Sequence, residues 1–241
     1  MKKLIITSII LTLTFSVNAQ SWLKNKKVRG NGNMKTETRN TSDYESVSAA
    51  GNFNVVLVKG TEGKITLEGE ENLMEYIITE VKKGKLTVKV KKHTNIKITK
   101  KFVVTVPYKD IEKVALAGSG DVSNTGTIKA EDFNVSLAGS GDINLNLDVT
   151  TLKTNVAGSG NIELSGKSSE LKCSIAGSGD IEAYGLSTKS TSVSVAGSGN
   201  VKTTVSENIK ARIAGSGSIY YKGDPKIDSK SAGSGRVVKR N

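Results

Sequence analysis

One stretch of the chain reads Val135-Ser-Leu-Ala-Gly-Ser-Gly-Asp-Ile143, and close copies of it recur through the second half of the sequence. Its central tetrapeptide, Ala-Gly-Ser-Gly, occurs seven times, at intervals of 21, 19, 19, 20, 18 and 18 residues. Such a near-constant period is typical of proteins built from stacked repeats. The seven copies begin at Ala117, Ala138, Ala157, Ala176, Ala196, Ala214 and Ala232.

Aliphatic and polar residues alternate on both sides of each Gly-Ser-Gly. The residue before the motif is Leu, Val or Ile in six copies, whereas Ser231 precedes the last one. This period of two predicts two half-buried strands per repeat, joined by a corner. The glycines permit a tight corner, and we expect the alanine before them to fit a tight interior. The aliphatic column after the motif consists of Val122, Ile143, Ile162, Ile181, Val201, Ile219 and Val237.

The repeat length selects the fold class. A repeat of 18–21 residues is too short for the helix of a βαβ unit, and none of the copies carries a helical apolar stripe. Propeller blades, the alternative, need about twice this period. We therefore predict an all-β protein whose residues 114–241 form a parallel β-solenoid with rungs of 18–21 residues.

The sequence before the repeats divides into three parts. Residues 1–19 have the pattern of a signal peptide: two lysines, an uncharged apolar stretch too short to span a bilayer, and small residues before Gln20. Residues 20–43 are polar and basic, which predicts a linker. Residues 44–113 alternate in polarity, which predicts a β-rich section that continues into the repeats as one domain.

These features predict an exported protein that is periplasmic, on the cell surface or extracellular. No second long apolar run follows the signal peptide, so we expect no transmembrane segment in the mature chain. The sequence does not define the oligomeric state.

Composition excludes several kinds of site. A single Cys excludes a disulfide framework, and a single His excludes a histidine-rich metal centre. Few aromatic residues argue against a tryptophan-lined sugar groove and against a base-stacking platform. We therefore expect no nucleic acid partner.

A basic segment lies just before the repeats. Nine of the twenty residues from Lys82 to Lys101 are lysines. Such a face attracts anionic polymers by long-range electrostatics, although lysines also protect exposed sheet edges. The candidate contacts for an anionic polymer are Lys85, Lys89, Lys91, Lys97 and Lys101.

Oxygen-bearing side chains follow most of the Gly-Ser-Gly copies. Asp121, Asp142 and Asp180 would form a column, and stacked carboxylates suggest a calcium site. The alternative is turn chemistry, in which Asp and Asn side chains bind local amides. Asp142 and Asp180 would lie about 10 Å apart, a distance that permits a glycosidase pair but comes with no cleft. We therefore expect no catalytic site and no cofactor.

Several motifs together resemble a known family. Val55-Val-Leu-Val-Lys-Gly60, Gly84-Lys-Leu-Thr-Val88, Val104-Thr-Val-Pro107 and the Gly-Ser-Gly-Asp copies are similar to the head GIN domain of auto-transporter adhesins, exported bacterial proteins common in Bacteroidetes. The similarity extends from about Tyr44 to Gly235. It implies a right-handed parallel β-helix-like fold and a surface-adhesion role, and it brings no catalytic residues.

The resulting hypothesis is a non-catalytic binding or adhesion module at the cell envelope, which presents a rigid polar surface. Its partner would be a surface polysaccharide, or a host or matrix glycan or protein. One alternative is an envelope-structural protein that contacts anionic polymers through Lys82–Lys101. The other is a carbohydrate-active β-helix enzyme.

Overall fold

The computed structural model describes residues 25–241, so the predicted signal peptide lies outside the described residues. These residues form nineteen strands and one 3-10 helix, Glu71–Tyr76. The strands are β1 (Lys26–Arg29), β2 (Met34–Asn40), β3 (Ser46–Gly51), β4 (Asn54–Lys59), β5 (Lys64–Glu70), β6 (Ile77–Lys82), β7 (Lys85–Val90), β8 (Thr94–Lys97), β9 (Val103–Tyr108), β10 (Lys113–Gly118), β11 (Asp121–Thr125), β12 (Ile128–Gly139), β13 (Asp142–Gly158), β14 (Asn161–Gly177), β15 (Ile181–Gly197), β16 (Val201–Gly215), β17 (Ile219–Lys222), β18 (Lys226–Ala232) and β19 (Val237–Lys239).

The repeats stack as a parallel β-solenoid of about 7 turns, which confirms the predicted fold class. Each of β12 to β16 pairs in parallel with the next, and like residues of successive rungs lie side by side. Ile143 is the register partner of Ile162, which in turn is the partner of Ile181. All three are fully buried, so they form one continuous aliphatic column inside the coil.

Both glycines of each corner are required by the stacking. Gly177 has a φ of +130°, a conformation that residues with a Cβ rarely adopt. A Cβ on Gly177 would lie 2.3 Å from the carbonyl oxygen of Gly158, and one on Gly179 would lie 2.1 Å from that of Gly160. The close approach allows the Gly158 carbonyl to accept hydrogen bonds from the amides of Ser178, at 2.9 Å, and Gly179, at 3.0 Å.

The alanine of the motif lies outside the coil, so the expectation of an interior alanine is wrong. Side chains alternate across a strand, and the aliphatic residue before the alanine already occupies the inward position. Val156 is buried, whereas its neighbour Ala157 is exposed. The alanines therefore form an outer column beside the exposed corner serines.

The first rungs do not follow chain order. β3 pairs in parallel with β7 on one side and with β10 on the other. In the same way β4 lies between β9 and β11. The rung made of β3 and β4 therefore lies between the rung of β7 and β9 and the first Gly-Ser-Gly rung, although it precedes both in the chain.

Antiparallel strands form the N-terminal end of the stack. β6 pairs with β7, while β5 pairs with β2 and β9. The 3-10 helix between β5 and β6 buries Leu73, Met74 and Tyr76 against the core. Solenoid ends need such a cover because an open rung exposes its apolar interior.

The prediction of a linker at residues 20–43 is wrong for the part that the structure describes. β1 pairs in parallel with β8, and β2 pairs antiparallel with β5. Five of the seven residues of β2 are exposed and none is buried, because this strand lies at the outer end of the sheet. Such a strand has no alternation of polarity, so its sequence looks like that of a linker.

The C-terminal rung is open. All seven residues of β18 are exposed, and β18 pairs with β16 on one side only among the described strands. Ser229 and Ser231 occupy positions that are aliphatic or small in inner rungs, which agrees with a terminal rung.

Candidate functional site

A long open groove, about 1020 Å³ in volume, runs along the solenoid at the bend opposite the Gly-Ser-Gly corners. We call it the hydroxyl groove. Six successive rungs line it, from Lys129 and Ala130 at one end to Gly223 and Asp224 at the other. Because rungs repeat every ~4.8 Å, the groove is about 24 Å long.

Three kinds of side chain line the hydroxyl groove. Ala130 is apolar and partly exposed, whereas Val149 and Val205 are buried beneath the groove floor. Lys167 forms a 3.3 Å ion pair with Asp148 of the preceding rung, so the wall carries charges of both signs at this point. Hydroxyl groups make up much of the rest: Thr150, Ser168, Ser169, Ser187, Thr188, Thr204 and Ser206.

The buried hydroxyls stabilise the bend on which the groove is built. Ser168 Oγ donates to the carbonyl oxygens of Thr150, at 3.2 Å, and Glu170, at 2.9 Å. Thr188 Oγ1 donates to the Thr204 carbonyl at 2.8 Å. The bonds to Thr150 and Thr204 link the bend to the rungs on either side. Other hydroxyls in the wall, such as that of Ser169, are exposed to solvent.

The candidate lysines are distributed over two sheets. Lys85 and Lys89 lie on the outer face of β7 in the large sheet, and Lys97 lies on β8 in the small sheet. Lys91 and Lys101 are exposed residues outside the strands. Glu80 forms ion pairs with Lys82, at 2.7 Å, and with Lys89. These contacts lower the pKa of Glu80 to about 2, with the Lys82 hydrogen bond as the largest cause.

The candidate calcium residues lie in one column, in the order Asp121, Asp142, Asn161, Asp180 and Asn200. Asn161 separates Asp142 from Asp180, so only Asp121 and Asp142 are direct neighbours. Within residues 25–241, no three His, Cys, Asp or Glu side chains form a group that could hold a metal ion.

The one thiol is sealed in the core. Cys173 is 4% exposed and stacks against Thr154 and Val193 of the neighbouring rungs. Burial raises the pKa of the Cys173 thiol to about 12, so the thiolate that a nucleophile needs does not form at neutral pH.

Sequence reasoning missed the hydroxyl groove. Its residues are common Ser, Thr and Lys of the repeats, and their meeting in one concave surface depends on how each rung bends. The usable signal is a column of Ser and Thr on consecutive rungs, such as Ser168 and Thr188, at a position where the other strands place aliphatic residues.

The family is established by comparison. A family model described as "Putative auto-transporter adhesin, head GIN domain" matches residues 43–225. The chain belongs to this family, as the motifs of the corners and of the N-terminal section indicated. No curated protein matches the chain.

Solved structures share the fold. A putative lipid binding protein from Parabacteroides distasonis is 26% identical, with a TM-score of 0.76, and the match covers 90% of this chain and 100% of that one. A putative adhesin from Bacteroides fragilis is 23% identical, with a TM-score of 0.81, over 88% of this chain and 100% of that one. A putative adhesin from Parabacteroides merdae is 24% identical, with a TM-score of 0.71, over 90% and 100%.

Family and neighbours are consistent with a non-catalytic binding module. An adhesin-like family also suggests an exported or cell-surface protein. Across residues 25–241, the structure contains no helix with the length and apolarity needed to cross a membrane.

Proposed function

We propose that this protein is an exported, non-catalytic binding module of the cell envelope, and that its hydroxyl groove holds an extended polysaccharide strand. The observation that carries the proposal is the groove itself, which crosses six rungs with hydroxyl and charged groups along its length. A linear polymer could contact it repeatedly, because the rungs offer similar groups at intervals of ~4.8 Å.

The scaffold suits binding more than chemistry. The serine and threonine side chains of the wall are short and stand on strands or bends beside neighbouring rungs, so ordering them on binding costs little conformational entropy. The described groove carries Asp148 paired with Lys167, and Asp224 paired with Lys239 at 3.1 Å. These two carboxylates lie four rungs apart, about 19 Å, whereas the two carboxyl groups of a glycosidase lie no more than about 9.5 Å apart.

Filling the groove tests the proposal. We would replace Ser169 and Ser187, both exposed in the groove wall, by Tyr, and screen binding to a polysaccharide array. We expect at least about a tenfold loss of affinity for the polymer that binds. The matched control is Ser174→Tyr with Ser194→Tyr, on the same two strands but away from the groove. Equal binding by the groove variant and the control would reject the groove as the site.

A lipid acyl chain is the second candidate ligand. It is favoured by the description of the 26% identical relative as lipid binding, and by the partly exposed Ala130 at one end of the groove. The polar walls favour a carbohydrate instead. Titration with a fatty acid distinguishes the two candidates. If the parent bound the fatty acid but no polysaccharide, and the Ser169→Tyr/Ser187→Tyr variant lost that binding, the acyl chain would replace the polysaccharide as the proposed ligand.

The basic segment provides a third contact mode. Lys85, Lys91, Lys97 and Lys101 remain exposed, and they favour attraction of anionic envelope polymers before the groove engages. In this version of the envelope-structural alternative, the lysines raise the rate at which the protein associates with an anionic polymer. Salt would screen these charges and remove the increase.

A further inference from the structure

Two tyrosines and three cations meet on the outer face near the C-terminal end, away from the groove wall. We call this cluster the tyrosine patch and define it as Tyr184, Lys202, Tyr220, Lys222 and Arg240, which surround a cavity of about 500 Å³. The residues come from β15, β16, β17 and the residue after β19, so the patch exists only in the folded stack.

A bulge in β15 creates the patch. The register of β14 and β15 shifts between Glu163 and Ser165, and that of β15 and β16 shifts after Ala183. Tyr184 is therefore unpaired on both sides, and its carbonyl oxygen accepts a 2.9 Å bond from Thr204 Oγ1. A bulge redirects a side chain, and here the ring of Tyr184 extends over the shorter rungs that follow.

The cations lie against the rings. Lys222 Nζ is 5.1 Å from the centroid of the Tyr184 ring, and Lys202 Nζ is 5.9 Å from it. Arg240 Cζ is 4.9 Å from the centroid of the Tyr220 ring. Lys202 also donates a 2.5 Å hydrogen bond to Glu182, so its charge is already paired.

Two positive charges remain available for a ligand. Within residues 25–241, neither Lys222 nor Arg240 forms an ion pair with a carboxylate. Lys222 and Tyr220 are only partly exposed, so an anion placed between these charges would lose part of its water and gain stronger electrostatic contacts. Arg adds a planar fork that matches a carboxylate or sulfate.

We propose that the tyrosine patch is a second binding site, independent of the hydroxyl groove, for an acidic sugar such as a uronic acid residue. The flat C–H face of the sugar ring would pack against Tyr184 or Tyr220, and its carboxylate would contact Lys222 and Arg240. Aromatic surface with a few convergent charged groups is the composition expected of a small-ligand site.

The test uses full-length protein and oligogalacturonate in isothermal titration calorimetry. The same oligomer with its carboxylates methyl-esterified is the uncharged control ligand. We expect binding of the acid form only, and at least about a tenfold loss of affinity in Lys222→Gln/Arg240→Gln. Lys153→Gln/Lys210→Gln removes two exposed lysines from another face and should retain affinity within about twofold.

Further variants separate stacking from charge and from the groove. Tyr184→Ala should weaken binding, whereas Tyr184→Phe, which keeps the ring, should restore it. When Lys222→Gln/Arg240→Gln is added to the groove variant Ser169→Tyr/Ser187→Tyr, affinity for oligogalacturonate should still fall by at least about tenfold, because the patch is separate from the groove. Equal affinity for the esterified oligomer, or unchanged affinity in Lys222→Gln/Arg240→Gln, would overturn the proposal. So would binding of phosphatidylglycerol vesicles or ATP at this patch without any binding of oligogalacturonate.

Discussion

The backbone amide of Asn200 donates a 2.6 Å hydrogen bond to Oδ1 of Asp180, and the side-chain amide of Asn200 reaches the same oxygen at 3.1 Å. Asn161 contacts Asp142 in the same way, at 3.1 and 3.0 Å. Each Asn oxygen then accepts the amide of the next rung, from Asp180 at 3.3 Å and from Ser218 at 3.0 Å. From Asp142 onward, alternating Asp and Asn thus keeps a neutral amide between carboxylates that would repel each other.

This ladder predicts a stability effect at Asp180. Asp180→Ala removes the acceptor for both donors of Asn200, and we expect it to lower the free energy of unfolding by about 1 kcal/mol. Asp180→Asn keeps an acceptor oxygen and should cost less. Urea unfolding measures both, and Asp132→Ala, at an exposed carboxylate on β12, is the control. A loss in the control as large as that in Asp180→Ala would show that the ladder bond is not the cause.

The same ladder predicts how the protein responds to metal removal. Oδ1 of Asp142 and Oδ1 of Asp180 each already accept two amide hydrogen bonds from the next rung, so we expect a chelator to leave the melting temperature unchanged. Differential scanning calorimetry with EDTA, and then with added Ca²⁺, checks this. A melting temperature that falls with EDTA and recovers with Ca²⁺ would restore the calcium hypothesis for Asp121, Asp142 and Asp180.

Stacking also predicts a difference between two corners. Gly177→Val places a Cβ against the Gly158 carbonyl of the preceding rung. It also disturbs the carbonyl of residue 177 itself, which accepts the amides of Ser198 and Gly199 of the next rung, so both adjoining rungs are affected. We expect a loss of about 3 kcal/mol. Gly233→Val meets the Gly215 carbonyl at the open terminal rung and should cost about half as much, because only one neighbour is disturbed. Equal losses in urea unfolding would contradict rung-by-rung stacking.

The sequence was sufficient to predict the repeat, the corners and the buried aliphatic columns, because each depends on a pattern repeated in every copy. It did not reveal that β3 lies between β7 and β10. All three strands have the same alternating pattern of polarity, and that pattern does not indicate in which order they stack. The Tyr184 bulge had a weak signal: the Ala176–Ala196 interval is one residue longer than the interval before it, and the next interval is shorter. The length of the interval does not show which residue of the repeat forms the bulge.

The lysines of the basic segment should differ in their effects. Lys89 is paired with Glu80, whereas Lys91 and Lys101 are exposed. We expect Lys91→Gln/Lys101→Gln to lower the salt concentration needed to elute the protein from a heparin column, and Lys89→Gln to have a smaller effect. Elution of both variants at the same salt concentration as the parent would show that this segment does not attract anionic polymers.

Glu70 connects two loops at the N-terminal end. This fully buried carboxylate accepts hydrogen bonds from the amides of Gly32, at 2.8 Å, and Thr99, at 2.8 Å, and from the Thr99 hydroxyl. Burial alone would raise the pKa of Glu70, but the hydrogen bonds from Thr99, Gly32 and Lys100 outweigh it and lower the pKa to about 2.

A lowered pKa fixes the direction of the pH dependence. The folded protein holds Glu70 ionised, so its contribution to stability is complete above the carboxyl group's ordinary pKa of 4.5 and is lost as pH falls towards about 2. We expect Glu70→Gln to lower the free energy of unfolding at pH 7 by about 2 kcal/mol and to flatten its dependence on pH between 4.5 and 2. Glu80→Gln is the control: that carboxylate has an equally low pKa but lies at the surface, where solvent screens its ion pairs. Urea unfolding across this pH range measures both variants. If Glu80→Gln flattened the pH dependence of the free energy of unfolding more than Glu70→Gln, the exposed ion pair, and not the buried carboxylate, would control acid stability.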